Sequence, residues 1–414
     1  MLKFNGFLTE DKGGKNLHLE HIEDEILNYG VDGGRASINF IRSLRDMLAG
    51  ASRSSINMTV KWDGAPAIFA GIDPEDGKFF VAKKSVFNKN PKLYKTASEV
   101  DSDVSGDLAT KFKVALSEFS KLGITGVLQG DLMFTSDTVS TEKIDGKSYY
   151  TFQPNTIVYA VPVDSDLGRK IRVAKVGVVW HTTYTGKSLP DMKASFGANI
   201  SSLKKTSSVW MDDATYKDVS GKATMTSDET VLVSKHLSNA GKTFRKINSS
   251  MLKQFLNIQS SLESKNVSAT LKTYNNSKVR TGEKIKDPYG HAKGYLDWVS
   301  SAYDKQIDKY KTPAKKQETE NLKKEMLREL KKHVTNLGNI LAFQGYIVDA
   351  KMEIVGKLNT VRQIGTFIRT KNGFKVTDAE GYVAIDRISG GAVKLVDRME
   401  FSYNNFTAIK AWDR

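Results

Sequence analysis

Lys61 begins the short motif whose residue types and spacing could do chemistry, Lys61-Trp62-Asp63-Gly64. Apolar residues precede and follow this motif, so it lies between two β-prone runs, 56–60 and 67–69. A lysine at the end of a strand, followed by an Asp-Gly turn, can present its amine as a nucleophile to a phosphorus atom. The same four residues also fit an exposed hairpin turn between two strands, and the motif alone leaves both interpretations open.

Five later segments follow this motif in sequence, and each adds one or two polar residues to a β-prone run. One motif of this kind arises by chance in many chains, whereas six in a particular order rarely do. The order of the segments therefore carries more information than any one of them. The segments are Phe79–Ser85 with Lys83 and Lys84, Gly126–Phe134 with Asp131, Thr156–Val161 with Tyr159, Glu380–Ala384, and Ala392–Val396 with Lys394.

In this order of motifs the chain resembles the covalent nucleotidyltransferase superfamily of ATP-dependent ligases and capping enzymes. Within that superfamily it resembles the phage-type RNA ligases most, whose fourth motif is similar to Glu380-Gly381-Tyr382-Val383-Ala384. The resemblance covers residues 56–184 and 375–405. It implies an α+β fold built on an antiparallel-sheet nucleotidyltransferase domain, an ATP-grasp-like ligase adenylation domain, with ATP and Mg²⁺ as cofactors.

The resemblance implies a role for each polar residue of these motifs. Lys61 is the expected catalytic nucleophile, which would form a phosphoramidate with AMP and release pyrophosphate. Asp131 and Glu380 are the expected ligands of Mg²⁺ or of a ribose hydroxyl, because carboxylate oxygens suit Mg²⁺. Tyr159 is expected to stack on the adenine. The other expected nucleotide-binding residues are Asp63, Gly64, Lys83, Lys84 and Lys394.

Three positions depart from the pattern of the family. Pro66 stands where many ligases have an arginine, Asp131 where a glutamate is usual, and Val396 where a second lysine is usual, with Arg398 further along. The first and third departures weaken phosphate contacts. They leave room for an enzyme that has shifted its substrate and for a core that has lost its activity.

The composition favours an anionic partner. The 414 residues carry 62 Lys and Arg against 47 Asp and Glu, a net charge of +15, which points to nucleic acid, with a lysine-rich surface that aids solubility as the alternative. Cysteine is absent, which excludes disulfides and thiolate metal sites and fits a cytoplasmic location, in the host cell if the protein is phage-encoded. No apolar run reaches the length of a membrane helix, so no membrane partner is expected. The oligomeric state stays open.

Periodicity and the resemblance together predict three parts of the chain. Apolar spacing predicts that residues 1–50 form an amino-terminal helical segment with two helices. The resemblance implies that 51–185 and 366–414 form the nucleotidyltransferase domain, and the range 186–365, which interrupts its motif order, is predicted to be an inserted, mainly helical, basic domain. The clearest helix is predicted to begin with Thr312 as N-cap and Pro313 at the first helical position. Its apolar stripe fits either a helical bundle or a short coiled coil.

The predicted insert is rich in basic residues, with aromatic side chains among them in a segment, 274–294, that is expected to be a loop. Basic and aromatic side chains together suit single-stranded nucleic acid, and the resemblance favours RNA. A solvated helix face is the alternative, because glutamates offset part of the charge. The expected nucleic-acid contacts are Lys278, Arg280, Lys284, Lys286, Lys315, Lys316, Lys323 and Lys324.

The histidines allow two further interpretations. His18 and His21, beside Glu20 and Glu23, lack a third nearby ligand and are interpreted as part of a polar helix face. His181 could be a catalytic acid, but at the predicted end of a strand, 172–180, it is interpreted as a histidine satisfied by its neighbours.

The predicted function is an ATP-dependent polynucleotide ligase that acts on RNA through a lysyl-AMP intermediate. AMP would move from Lys61 to a 5′-phosphate, and a 3′-hydroxyl would then displace it. Two alternatives stay open: a non-catalytic nucleic-acid-binding protein with a decayed ligase core, and an enzyme that transfers AMP to a protein or small molecule. The sequence leaves open the natural substrate and the choice between RNA and DNA.

Overall fold

The computed structural model of the chain describes residues 20–50, 56–215, 223–264, 267–360, 364–370, 373–377, 380–386 and 392–403. These residues form a mixed α+β fold whose strands pair mostly antiparallel, so the predicted class is confirmed. The finer prediction of a ligase adenylation domain stays a prediction. In the described part of the chain, none of the helices combines the length and the apolar character needed to cross a membrane.

The described strands form three sheets. They are β1 Ile56–Lys61, β2 Ala67–Ile72, β3 Phe79–Ala82, β4 Val127–Thr135, β5 Ser140–Ile144, β6 Lys147–Phe152, β7 Val158–Pro162, β8 Val176–Thr185, β9 Lys193–Phe196, β10 Val209–Asp212, β11 Gly365–Thr370, β12 Gly373–Val376, β13 Gly381–Asp386 and β14 Ala392–Leu395. The strand orders are β10-β8-β4-β2-β3 with β9 also on β8, β12-β11-β7-β6-β5, and β1-β13-β14. The pair β8–β10 is parallel.

The described α-helices are α1 Glu25–Leu48, α2 Ala97–Asp103, α3 Gly106–Phe119, α4 Asp166–Val173, α5 Ser227–Phe244, α6 Ser249–Ser264, α7 Leu271–Arg280, α8 Pro288–Lys309 and α9 Pro313–Leu358. A 3₁₀ turn, Ile22–Asp24, precedes α1, and a π-helical turn, Arg398–Ser402, follows β14. The predicted start of α9 is confirmed, although the Thr312 side chain makes no capping hydrogen bond. The two predicted amino-terminal helices correspond to α1, in which two helical parts meet at a kink at Gly30, whose φ of 62° suits a residue without a Cβ.

Two apolar cores fix the strands of the larger sheets. Helix α3 covers one face of the six-stranded sheet, where Phe119 packs against Trp180 with ring centroids 5.2 Å apart. On the other face, Phe134 packs against Phe152 of the five-stranded sheet at 4.9 Å, in a core that also contains Tyr159. Each such buried aromatic side chain stabilises the fold by roughly 1.5–3 kcal/mol. Strands β4 and β7 are thereby fixed relative to each other.

A third core joins helices from both ends of the chain to the three-stranded sheet. Phe343 of α9, Ile41 of α1 and Tyr295 of α8 share it with Met58 of β1 and Tyr382 of β13. The small sheet that carries Lys61 is therefore packed on the helices. The predicted amino-terminal segment and the helices of the range 186–365 pack together, and β9 and β10, also in that range, extend the six-stranded sheet. The predicted division into domains stays a prediction.

A buried ionic network ties three distant segments together. Lys351 of α9 donates to both carboxylate oxygens of Glu23 at 3.0 Å, and Arg398 donates to Asp24 at 3.0 Å. Burial raises the pKa of Glu23, but Lys351 and Arg398 outweigh burial and lower it below its usual value. The network joins the turn before α1, the carboxyl-terminal part of α9 and the segment after β14.

Candidate active site

Antiparallel pairing of β1 with β13 brings Lys61 to Glu380. Lys61 is the last residue of β1 and lies opposite Gly381, the first residue of β13. The Lys61 ammonium forms an ion pair with the Glu380 carboxylate. The Lys61 side chain keeps 27% of its surface exposed, against 10% for Glu380. The amine is therefore accessible, while the carboxylate that binds it is almost buried.

A pocket of about 240 Å³ lies beside Lys61. Strand β4 contributes both Gln129 and Asp131 to it, since side chains two residues apart share a face of a strand. The pocket therefore combines an amine, a carboxylate and an imidazole with apolar walls. Its lining residues are Thr59, Val60, Lys61, Trp62, Gln129, Asp131, Val179, His181, Phe196, Ala214 and Val383.

His181 belongs to this pocket and does not end a strand. Strand β8 continues to Thr185, and the residues before it form α4, so the predicted strand 172–180 is wrong at both ends. His181 Nε2 lies 3.7 Å from the Asp131 carboxylate, and its Nδ1 lies 2.8 Å from the Thr182 hydroxyl. The ring is thus oriented on one side and faces a carboxylate of the site on the other.

Gly64 lets the turn after Lys61 approach β4 closely. A Cβ added at Gly64 would lie 2.4 Å from the Cβ of Asp131 and 3.1 Å from the sulfur of Met133. No side chain fits in that space. Gly64 therefore sets the separation between the turn and Asp131 and is not itself a source of chemistry.

We expect Gly64→Ala to lower the free energy of unfolding by about 1–3 kcal/mol, the usual cost of overpacking. Urea denaturation monitored by circular dichroism measures it. Gly241→Ala in α5 is the matched control, because a Cβ there meets no atom within 4 Å. The control is expected to raise stability by up to about 1 kcal/mol, because alanine favours helix. Equal effects of the two changes would contradict the close approach at Gly64.

Asp63 is buried, and its carboxylate is fully engaged by the protein. It accepts hydrogen bonds from Asn155 Nδ2 at 2.7 Å and from the backbone N–H groups of Thr156 and Ile157 at 2.8 Å. Its own N–H donates to the Tyr159 hydroxyl at 2.7 Å. Asp63 therefore fastens the turn after Lys61 to the connection between β6 and β7.

Tyr159, the expected adenine platform, is buried between other rings. Its centroid lies 5.3 Å from that of Trp62 and 5.5 Å from that of Phe152. Burial, followed by the charge of Asp63, raises its pKa well above the usual value. In this arrangement its ring offers no open face to a purine. Trp62 lines the pocket instead, and its buried Nε1–H has no acceptor among the described residues.

The charges around Lys61 perturb one another. Burial raises the pKa of Glu380 to about 7, even though the Lys61 ammonium lowers it, and Asp63 and Asp131 add to the rise. Lys394, opposite Val383 on the neighbouring strand, has its pKa lowered by burial and then by Lys61. Groups whose pKa values are strongly shifted, next to a pocket, are typical of functional sites.

Comparison with protein families now adds an independent finding. A family model described as "Family of unknown function (DUF6267)" matches residues 16–410. The chain belongs to this family. Neither the comparison with curated proteins nor that with solved structures found a match. The family match spans the pocket at Lys61 and the helices alike.

None of the three lysines predicted to contact phosphate in this DUF6267 chain lines the pocket, although Lys394 lies close enough to Lys61 for their charges to interact. The Lys83 ammonium binds Asp103 at 2.7 Å and lies over the Tyr94 ring, and its pKa is raised chiefly by that hydrogen bond. Lys84 lies in an exposed 3₁₀ turn after β3. The structure thus brings Lys61, Glu380, Asp131 and Lys394 together and leaves the lysine pair beside α2.

The prediction that 274–294 is a loop is wrong, because α7 and α8 occupy most of it. Tyr274 is buried and stacks on His291 at 4.3 Å, so neither ring is free for a base. Several of the predicted nucleic-acid contacts are paired with acids, namely Lys278 with Glu283, Lys315 with Glu318, Lys323 with Asp304 and Lys324 with Glu320. Lys284, Lys286 and Lys316 are exposed and make no ion pair within the described ranges.

Sequence reasoning missed three residues of the site. Trp62 lies inside the motif itself, and Gln129 precedes Asp131 by two residues, so strand periodicity could have identified Gln129. Thr59 likewise precedes Lys61 by two residues. Within the described residues, no group of three or more His, Asp or Glu side chains is placed to hold a metal ion.

Proposed function

We propose that this protein is an ATP-dependent nucleotidyltransferase in which Lys61 is the nucleophile. The Lys61 amine attacks the α-phosphorus of ATP, the bond to the β-phosphate oxygen breaks, and pyrophosphate leaves. A lysyl-AMP phosphoramidate is the product. The observation that carries this proposal is the accessible Lys61 amine at a strand end, bound to Glu380 and facing a pocket with Asp131.

Glu380 is suited to accept the proton that Lys61 must lose. Its carboxylate contacts the ammonium directly, and its pKa of about 7 makes it a stronger base than an ordinary carboxylate. Lys394 lies close enough for its charge to interact with that of Lys61. Glu380 would thus prepare Lys61 for attack, with Lys394 beside it.

The residues of the site also fit the two cofactors. Trp62 Nε1–H is a buried donor that still requires an acceptor, as the heteroatoms of adenosine could provide. Mg²⁺ in nucleotide sites commonly takes one or two carboxylates and draws its other ligands from water and phosphate. Asp131, which lines the pocket, would provide one such carboxylate, and Glu380 a second as long as it is ionised. When bound, Mg²⁺ would neutralise charge on the phosphates.

We further propose that AMP passes from Lys61 to the 5′-phosphate of RNA. A 3′-hydroxyl then attacks this phosphate, which forms the phosphodiester bond and releases AMP. The net charge of +15 supports a polyanionic substrate, and the resemblance favours RNA. The test is incubation of the protein with ATP, Mg²⁺ and 5′-phosphorylated single-stranded RNA. Joined RNA, with 5′-adenylated RNA as an intermediate, is the expected result. Lysyl-AMP without any AMP on RNA would favour transfer to a protein or small molecule.

A decayed core is the second candidate, and two positions favour it. Arg398, the basic residue that follows β14, is bound to Asp24 in the buried network and not to the Lys61 pocket. Pro66 cannot contribute the positive charge that many ligases have at this point. Such a protein would bind RNA and leave ATP unused.

The exposed lysines of the α7–α8 connection provide a prediction about RNA binding. Each phosphate contact contributes about 0.7 to the salt dependence of single-strand binding. The double change Lys284→Glu and Lys286→Glu should therefore flatten the slope of log affinity against log salt by about 1–2 units. Fluorescence anisotropy over a salt series measures the slope. Lys143→Glu with Lys147→Glu, on the exposed β5–β6 hairpin, is the matched control, and an equal change there would remove the prediction.

A further inference from the structure

A second and larger pocket, of about 650 Å³, lies between α9, the α7–α8 connection and the turn after β14. This volume is within the range of small-molecule pockets, roughly 300–1,000 Å³. Leu341, Tyr346 and Met352 of α9 give it apolar walls, and Ile285 of the connection lies across from them. Nothing in the chemistry proposed for Lys61 uses this pocket.

The floor of the pocket contains one unsatisfied acceptor. Glu23, Asp24, Lys351 and Arg398 line it, but their charges are matched within the buried network. Gln344, only 6% exposed, donates from Nε2 to the Glu23 carbonyl at 3.0 Å and to the Asp24 carboxylate at 3.1 Å. Since both partners are acceptors, the orientation of the amide is fixed. Its Oε1 has no hydrogen-bond partner in the described part of the chain.

Two exposed lysines of the pocket lining are available to an anion. Lys284 and Lys286 make no ion pair with any described residue, whereas Lys278 binds Glu283. The acidic side chains of Asp349 and Asp397 also line the pocket. Apolar walls, a buried acceptor and exposed basic residues match the three parts of a nucleotide. A base has an apolar ring face and N–H donors on its edge, and its phosphate is anionic. Every base has such a donor, so this set of groups implies no strict base preference.

One short segment connects this pocket to the Lys61 site. The N–H of Lys394 donates to the carbonyl of Glu20 at 3.0 Å, and Glu23 and Asp24 follow on the pocket floor. His21, between them, has its pKa lowered by burial and by the charges of both sites, among them Arg398 and Lys61. An RNA strand bound in this pocket would therefore lie near Lys61, where the proposed reaction takes place.

We propose that this pocket binds one nucleotide of a single-stranded RNA, with the base donating to Gln344 and the phosphates at Lys284 and Lys286. The choice of RNA as the polymer rests on the proposed function. The residues of the pocket contact only the base and the phosphate, which a free nucleotide has as well.

The sharpest test fills the pocket from Gly345. This residue lines it on α9, and a Cβ added there meets no atom within 4 Å, so Gly345→Phe extends a ring into open space. Gly356→Phe is the matched control on the same helix, also with open space and outside the pocket lining. Both changes are made in the Lys61→Ala protein, so that adenylation cannot alter binding. The probe is a short fluorescent, 5′-phosphorylated single-stranded RNA, with AMP as competitor.

We expect Gly345→Phe to weaken RNA binding about tenfold or more, the scale on which loss of one bound base acts, and Gly356→Phe to leave it unchanged. If AMP displaces the RNA, the pocket also binds free nucleotides. If AMP does not displace it, the pocket binds the polymer alone. In wild-type protein, a 4-thiouridine RNA should crosslink to the α9 peptide that contains Tyr346, a result independent of how the variants fold. Equal affinities of the two variants, or crosslinks confined to other segments, would overturn the proposal.

The same experiment separates this inference from the proposed function. If ATP labels the wild-type protein but Gly345→Phe binds RNA as well as its control, the nucleotide pocket is refuted and the proposed enzyme is not. If Gly345→Phe weakens RNA binding but ATP does not label the wild-type protein, the proposed enzyme is refuted and the nucleotide pocket is not.

Discussion

Glu380→Gln is expected to slow adenylation of Lys61 by about a hundredfold or more, the scale on which loss of one charged group of a reaction centre acts. The amide keeps the shape of the side chain but can neither accept the lysine proton nor carry negative charge. Single-turnover labelling with α-labelled ATP and Mg²⁺ measures the rate. Glu142→Gln, which removes a carboxylate bound to Arg369 in the five-stranded sheet, is the control and should label at the wild-type rate.

The stability of Glu380→Gln distinguishes a catalytic role from a structural one. A carboxyl whose pKa is raised on folding stabilises the folded state at pH values below its pKa in the unfolded chain, near 4.5. That stabilisation is lost as the pH rises through the folded-state pKa of about 7. At pH 8 the ionised Glu380 therefore opposes folding, and the neutral amide should not lower the unfolding free energy. A large loss of stability together with slow labelling would mean that Glu380 stabilises the fold and takes no part in the reaction.

Lys351→Met is expected to produce the largest loss of stability, about 3–5 kcal/mol, because it removes the closest counter-charge of buried Glu23 and leaves Arg398 to bind both Glu23 and Asp24. Urea denaturation at neutral pH measures it. Lys323→Met on the same helix is the control, since Lys323 binds Asp304 at the surface and should contribute less than about 1 kcal/mol. A cost for Lys351→Met no larger than for the control would show that the network does not stabilise the fold.

Local sequence patterns were sufficient for the strands of the candidate site. The apolar frame around Lys61 predicted a strand ending at that residue, and the runs that begin at Glu380 and at Ala392 correspond to β13 and β14. The register that sets Lys61 opposite Gly381 joins residues far apart in sequence, and no local pattern specifies such a pairing. A common role for these residues is predicted only by the order of the motifs, and it stays a prediction.

The roles of Asp63 and Tyr159 could not be predicted, because a polar residue in a motif looks the same whether it binds a ligand or the protein. Three N–H groups of the β6–β7 connection donate hydrogen bonds to the Asp63 carboxylate, and the packing of two sheets buries Tyr159. The segment 274–294 was misassigned for a related reason. Its polar composition lacks a clear helical period, and α7 is stabilised by tertiary contacts and by the Thr270 cap on Thr273 N–H.

The residue that carries AMP distinguishes Lys61 from every other candidate nucleophile. The protein is incubated with ATP and Mg²⁺, its intact mass is measured, and the modified peptide is sequenced by mass spectrometry. We expect a mass increase of one AMP, located on Lys61, sensitive to acid as a phosphoramidate is, and absent from Lys61→Ala. AMP on another residue, equal labelling of Lys61→Ala, or no labelling with any nucleoside triphosphate would contradict the assignment of Lys61 as the nucleophile.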